Sequence, residues 1–199
     1  MTRADDINKI NPFAVIDVFY PAGPLRDLLL KHSTQVRDKA LEIAKNSGLD
    51  LDLDLVFAGA MLHDIGIIAC DAPGILCTGS EPYIAHGVIG ARMLREYAAA
   101  HGLDLEAFAA ICEHHTGSGI TVSEVRAQQL PIPEKDYLPL SLEEKAICLA
   151  DKFFSKSGEM REKSPEKARA SLQKFGSGAV GRFDALCRLF RLPVSRPER

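Results

Sequence analysis

Leu25, Leu29, His32, Val36 and Ile43 recur in steps of three, four and seven residues, the spacing that lines one face of an α-helix. Pro21 and Pro24 mark the entry to this first strong helix, because proline suits a helix start and opposes a helix interior. A second helix is expected from the acidic run Asp50, Asp52, Asp54, whose charges complement a helix N-terminus, and it should end at His63, Asp64, Ile65 and Gly66. Pro73, Gly74 and Gly79 make Asp71 to Ser80 a loop. Further helices follow over roughly Pro82 to His101 and Asp104 to Thr116.

Thr121 with Glu124, and Ser141 with Glu144, have capping-box spacing. The first should open a short helix and the second a helix carrying Lys145 to Lys156, with Asp151 inside it. Ser164 followed by Pro165 starts another, and Val180 to Leu192 forms the last. β-Branched runs are too short and scattered to build a sheet, so the fold class is all-α. Met1 to about Ile10 and Pro193 to Arg199 read as loose ends.

Composition narrows the picture modestly. With 199 residues, 46% of them hydrophobic and 26% charged, one domain with a real core is the default. A formal net charge of −3 gives no broad basic field for nucleic-acid polymers or membranes, so a polyanionic substrate would draw its local positive charge from bound metal. No stretch reaches the roughly 20 apolar residues of a membrane span, and the polar start MTRADDINKI does not suit a signal peptide; a cytoplasmic location is expected. Cys70, Cys77, Cys112, Cys148 and Cys187 form no C-x-x-C pair and read as small buried hydrophobes.

Several potential metal ligands occupy core-facing positions near helix ends. His32 sits between Leu29 and Val36, His86 shares a face with Ile89, Gly90, Met93 and Tyr97, His115 with Phe108, Ile111 and Cys112, and Asp151 with Ile147, Cys148 and Phe154. A buried aspartate or histidine without a partner is costly, and one metal centre accounts for all of them together. His63 and Asp64 are adjacent and cannot share one narrow stripe, but consecutive residues at a helix end can converge on a metal beyond it.

His32, the doublet His63-Asp64 in MLHDIG, and Asp151 in LADK resemble the H…HD…D signature of HD-superfamily metal-dependent phosphohydrolases. AHGVIGARML and ICEHHTGSGIT are similar to the extra-histidine segments of members that hold two metals. The resemblance covers about Pro24 to Lys156; it is nearest to short HDIG-domain proteins, and similar to bacterial HD hydrolases that split diadenosine tetraphosphate symmetrically.

It implies a single HD-domain helical bundle over residues 1–199, with its core at about 24–157, an N-terminal extension and C-terminal helices. His32, His63, Asp64 and Asp151 would hold a first divalent transition ion (Fe, Mn, Co, Ni or Zn). His86 and His115 would hold a second, with Asp64 bridging the two. His115 is preferred to His114 because it aligns with the HT-x-G string and shares the apolar face; His114 stands as the alternative ligand.

The implied activity is hydrolysis of a phosphoester or phosphoanhydride in a small nucleotide-like substrate by a metal-activated water, with His63 and Asp64 as the catalytic pair and a dinucleoside polyphosphate as the specific expectation. Arg92 and Lys152 are the candidate phosphate-binding groups, with solvated surface charge as their alternative. Two rival functions use the same ligands: a mixed-valent di-iron oxygenase of the HD superfamily, and a non-catalytic metal- or nucleotide-binding module. The pattern departs from the family at Ile67, where many HDIG proteins carry a basic residue, and the GYP-type segment of cyclic-dinucleotide phosphodiesterases is missing.

Overall fold

The computed structural model describes residues 10–192, so the expected loose ends lie almost wholly outside the described residues. It is an α-helical bundle. In chain order its helices are α1 (Pro12–Phe19), α2 (Pro24–Ser47), α3 (Leu53–Leu62), α4 (His86–His101), α5 (Glu106–His114), α6 (Val122–Ala127), α7 (Leu142–Asp151), α8 (Pro165–Leu172) and α9 (Ser177–Leu189). No helix among the described residues is long and apolar enough to cross a membrane.

Local chemistry sets most of the boundaries. Asp52 caps α3 by accepting from the Asp54 and Leu55 amides at 3.0 Å. Both expected capping boxes form, Thr121 with Glu124 and Ser141 with Glu144. Helix α1 was not expected; Asn11 caps it and Pro12 opens its first turn. The loop expected at Asp71 to Ser80 contains a small antiparallel hairpin, β1 (Asp71–Ala72) with β2 (Cys77–Thr78).

The helix expected to run to Lys156 instead ends at Asp151. The amides of Lys152, Phe153 and Phe154 bond three residues back, to Leu149, Ala150 and Asp151, which tightens the chain into a turn. Burial drives this ending, since Phe153 and Phe154 both turn into the core and Phe153 packs 6.4 Å from Phe183. Asp151 is thereby left at a helix end, and the chain beyond it doubles back toward the end of α3.

Two apolar clusters make up most of the core. One gathers the second half of α2 with α7, α8 and α9; the other gathers α1, the start of α2, α4 and α5, and α3 contributes to both. His32 lies on α2 between Leu29, in one cluster, and Val36, in the other. All five cysteines are buried and free, as expected. Those at 112 and 148 also donate weakly to helix-end carbonyls, Cys112 to Leu62 at 3.2 Å and Cys148 to His115 at 3.5 Å.

Candidate metal centre

Helix α3 ends where the HD doublet begins: His63 is its C-cap residue, and Asp64 precedes a 3-10 turn over Ile65–Ala69. That turn is pinned from α1. Tyr20 donates its hydroxyl proton to the Ile65 carbonyl at 2.7 Å and accepts from the Ile68 amide at 3.1 Å. On the other side Gly66 lies flat against α4, where a Cβ would come within 2.1 Å of the His86 carbonyl oxygen and 2.4 Å of the Gly90 amide nitrogen. The glycine of HDIG is thus the contact that sets His86 beside Asp64.

Two groups of potential ligands share one carboxylate. His32, His63, Asp64 and Asp151 form the first, and Asp64, His86 and His115 the second, with the ligand atoms of each group within 4.8 Å of one another. Asp64 Oδ2 faces the Nε2 atoms of His32 at 3.1 Å and His63 at 3.0 Å. Its Oδ1 faces those of His86 and His115 at 3.4 Å each. Asp151 Oδ1 lies 3.0 Å from His32 Nε2 and 3.6 Å from His63 Nε2. Ligands bound at about 2.0–2.2 Å to one ion sit roughly 3–3.5 Å apart, so these separations fit an ion on each side of Asp64.

The tautomers fit as well. His63, His86 and His115 each place Nδ1 2.6–2.7 Å from the backbone carbonyl three residues earlier, of Ala60, Tyr83 and Cys112. A carbonyl only accepts, so each Nδ1 carries a proton and each ring turns its Nε2 inward. His86 and His115 then face each other Nε2 to Nε2 at 3.0 Å. Burial and the neighbouring His115 push His86 down to about 3, and burial lowers His115 too, so neither relieves the contact as a cation. His63 Nε2 and both Asp64 carboxylate oxygens are buried without a hydrogen-bond partner of good geometry. These are the marks of a donor set suited to cations.

Burial works against ionised Asp64 and Asp151, yet both are held well below the usual carboxylate range: Asp64 chiefly by His63 and Lys156, Asp151 chiefly by Lys152 and Lys156. Burial also opposes a charged His63, but Asp64 and Asp151 more than offset it and raise it to about 9.

All six expected ligands are brought together. His114 is not, since its Nδ1 lies 2.6 Å from Glu144 Oε2, at the capping box of α7. His101 is exposed, as expected. Lys152 reaches the site, with Nζ 2.7 Å from Asp151 Oδ2. Arg92 does not. Its side chain is 64% exposed and 4.0 Å from Glu96, because six residues along α4 rotate it by about 240° from His86, onto the outer face.

A cavity of about 660 Å³ opens above the centre, bordered by His86, His115 and Asp151. Its wall carries four lysines, Lys152, Lys156, Lys163 and Lys174, against one carboxylate, Asp151. Sequence inspection missed Lys156, Lys163 and Lys174, because no local motif joins residues from a turn, a connecting segment and a 3-10 turn. These lysines stand beside the expected Lys152 as further local positive charge in a cavity where bound metal was also expected to supply it.

The family model of the HD domain matches residues 29–155, and the chain belongs to that family. An uncharacterized protein of Methanocaldococcus jannaschii, MJ0778, is 41% identical over 129 residues, 63% of this chain and 66% of that protein. Two proteins named tRNA (cytidine(56)-2'-O)-methyltransferase also match. The one from Thermoplasma volcanium is 33% identical over 83% of this chain and 46% of its own length; the one from Picrophilus torridus is 36% identical over 65% and 32%. The chain thus spans less than two thirds of each of these relatives.

Among solved structures, the HD domain of the L. monocytogenes phosphodiesterase PgpH aligns over 90% of this chain and 95% of that one, with a TM-score of 0.49 and 16% identity. The same domain in complex with cyclic-di-AMP gives 0.48 and 15%, over 93% and 99%. At this distance neither likeness bears on chemistry.

Proposed function

We propose that the protein is a metal-dependent phosphohydrolase acting on a phosphoester or phosphoanhydride of a small nucleotide-like substrate, within a single HD domain whose core is about 24–157. The observation that carries this reading is Asp64, shared between two histidine groups beneath a lysine-lined cavity.

Two divalent transition ions bound there would lower the pKa of a water shared between them and neutralise charge on the phosphoryl oxygens. His32, His63, Asp64 and Asp151 would hold one and His86 and His115 the other, with Asp64 common to both. The three carbonyl-anchored imidazoles keep their rings from turning, so their lone pairs stay directed inward. Lys152 and its neighbours give the cavity a positive wall in a protein of net charge −3, which favours entry of a polyanion. His63 and Asp64 are the residues on which hydrolysis depends most directly.

Hydrolysis in oxygen-18 water tests the reaction. Water oxygen bonds to phosphorus, the bond from phosphorus to the leaving oxygen breaks, and the label must appear on a phosphoryl product. Activity should vanish with EDTA and return with Mn, Co, Ni or Fe. Diadenosine tetraphosphate is the specific substrate expected, giving two ADP. Oxygen-dependent turnover with no labelled phosphate would replace the hydrolase by a di-iron oxygenase, and ligand binding with no turnover under any metal would leave a binding module.

A further inference from the structure

Lys156 lies in the chain just beyond α7, in the segment that turns back once Phe153 and Phe154 enter the core. Its ammonium is 2.6 Å from Asp64 Oδ2, on the carboxylate shared by the two ligand groups, and its side chain is only 10% exposed. It also lies 5.9 Å from the centroid of the Tyr83 ring, a weaker attraction for its charge. Lys156 and Tyr83 both line the cavity beside His86, His115 and Asp151.

A structural salt bridge explains this placement poorly. Asp64 already faces four imidazole nitrogens at 3.0–3.4 Å, and Lys152 already sits on the neighbouring Asp151. If Asp64 and Asp151 held cations, the buried ammonium beside them would meet added positive charge, which an incoming anion would offset. An ammonium has three protons to donate, so its ion pair with Asp64 Oδ2 leaves it able to meet a further acceptor in the cavity. Lys156 is therefore a buried donor lining the cavity beside the shared carboxylate, where an entering anionic group can meet it.

We propose that Lys156 binds the phosphoryl group undergoing reaction, donating to its oxygens and offsetting the negative charge that develops on them in the transition state. Lys156 is then a catalytic residue, distinct from the metal ligands. This assignment rests on the phosphohydrolase reading of the same site.

The test uses Lys156→Gln, Lys156→Arg and Lys156→Ala in the full chain, with metal content and thermal stability measured for each. Lys156→Gln should keep its metal and fold while kcat falls about 100-fold, with KM changing far less. Lys156→Arg should recover a large part of that loss, because it restores a cation of similar reach. Ethylamine or propylamine should restore turnover to Lys156→Ala in a saturable manner, which loss of a structural ion pair would not permit. Orthophosphate should bind Mn-loaded Lys156→Gln about tenfold more weakly than wild type by calorimetry.

Wild-type kcat and phosphate affinity in Lys156→Gln would overturn the assignment and leave the hydrolase intact. Loss of activity that follows loss of metal or of folded protein, with no rescue by amine or arginine, would make Lys156 structural. If wild type hydrolyses no phosphoester yet binds orthophosphate more tightly than Lys156→Gln, the hydrolase reading fails while Lys156 stands as an anion-binding residue.

Discussion

His86 and His115 turn their Nε2 atoms toward each other at 3.0 Å while each donates its Nδ1 proton to a carbonyl three residues earlier. Two lone pairs at that distance repel, and a cation held by these histidines and Asp64 would remove the repulsion. Replacing either histidine by alanine should lower bound metal from about two ions per chain toward one. His114→Ala should change it little, because His114 pairs with Glu144 instead. Metal analysis of protein purified without chelator checks this; equal losses in all three variants would reject the second site.

Asp64→Ala removes the carboxylate common to both groups, so it should cost more metal than either histidine variant and abolish hydrolysis. His63→Ala should also abolish activity, since its anchored ring contributes directly to the first group. Helical content by circular dichroism should stay nearly intact in both. Retained turnover in either variant would rule out this centre.

Gly66→Ala tests the backbone contact between the HD turn and α4. The added Cβ meets backbone atoms of His86 and Gly90 rather than flexible side-chain ends, so α4 must move. A destabilisation of roughly 1–3 kcal/mol is expected, with loss of the second ion before the first. An unchanged melting temperature and full metal content would show that the packing yields more easily than the distances imply.

Glu113, two residues before His115, offers a pH-dependent test through its own ion pairs. It is 6% exposed and pairs with Lys135 at 2.7 Å and Arg95 at 3.2 Å. Burial raises its pKa, but Lys135 and Arg95 lower it more, to a value below its ordinary 4.5. A carboxyl depressed on folding stabilises the protein fully above its unfolded pKa and loses that contribution as pH falls through its folded pKa. Glu113→Gln should therefore be less stable by about 1–2 kcal/mol at pH 7, since both partners are half exposed, and the gap should narrow as pH falls below the ordinary 4.5 and close only below the lowered pKa of folded Glu113. Denaturant melts at several pH values measure it; a gap independent of pH would exclude the ion pair as its source.

Most of the helix periodicity, both capping boxes and the six candidate ligand positions were legible in the sequence, because each rests on a local pattern, whereas α1 and the early end of α7 were not. A capping box needs four residues, and a histidine such as His32 betrays itself by standing on an apolar stripe between Leu29 and Val36. The tertiary structure decided what depends on distant segments meeting. Arg92 was expected near phosphate from its nearness to His86 in sequence, but the helical turn carries it to the outer face. Lys156 stands 92 residues from Asp64 and bears no motif, yet the aromatic turn after α7 lays its ammonium on that carboxylate. Ile67, where the resemblance to HDIG proteins would put a basic group, is buried in the core, while Lys156 from another segment lies on Asp64. Tyr20 likewise gave no signal, because a hydroxyl that pins a turn 45 residues away is chosen by packing rather than by its neighbours in the chain. Local patterns record hydrogen bonds and faces within one helix, whereas the charge above a site is set by whichever chain segments the core draws together.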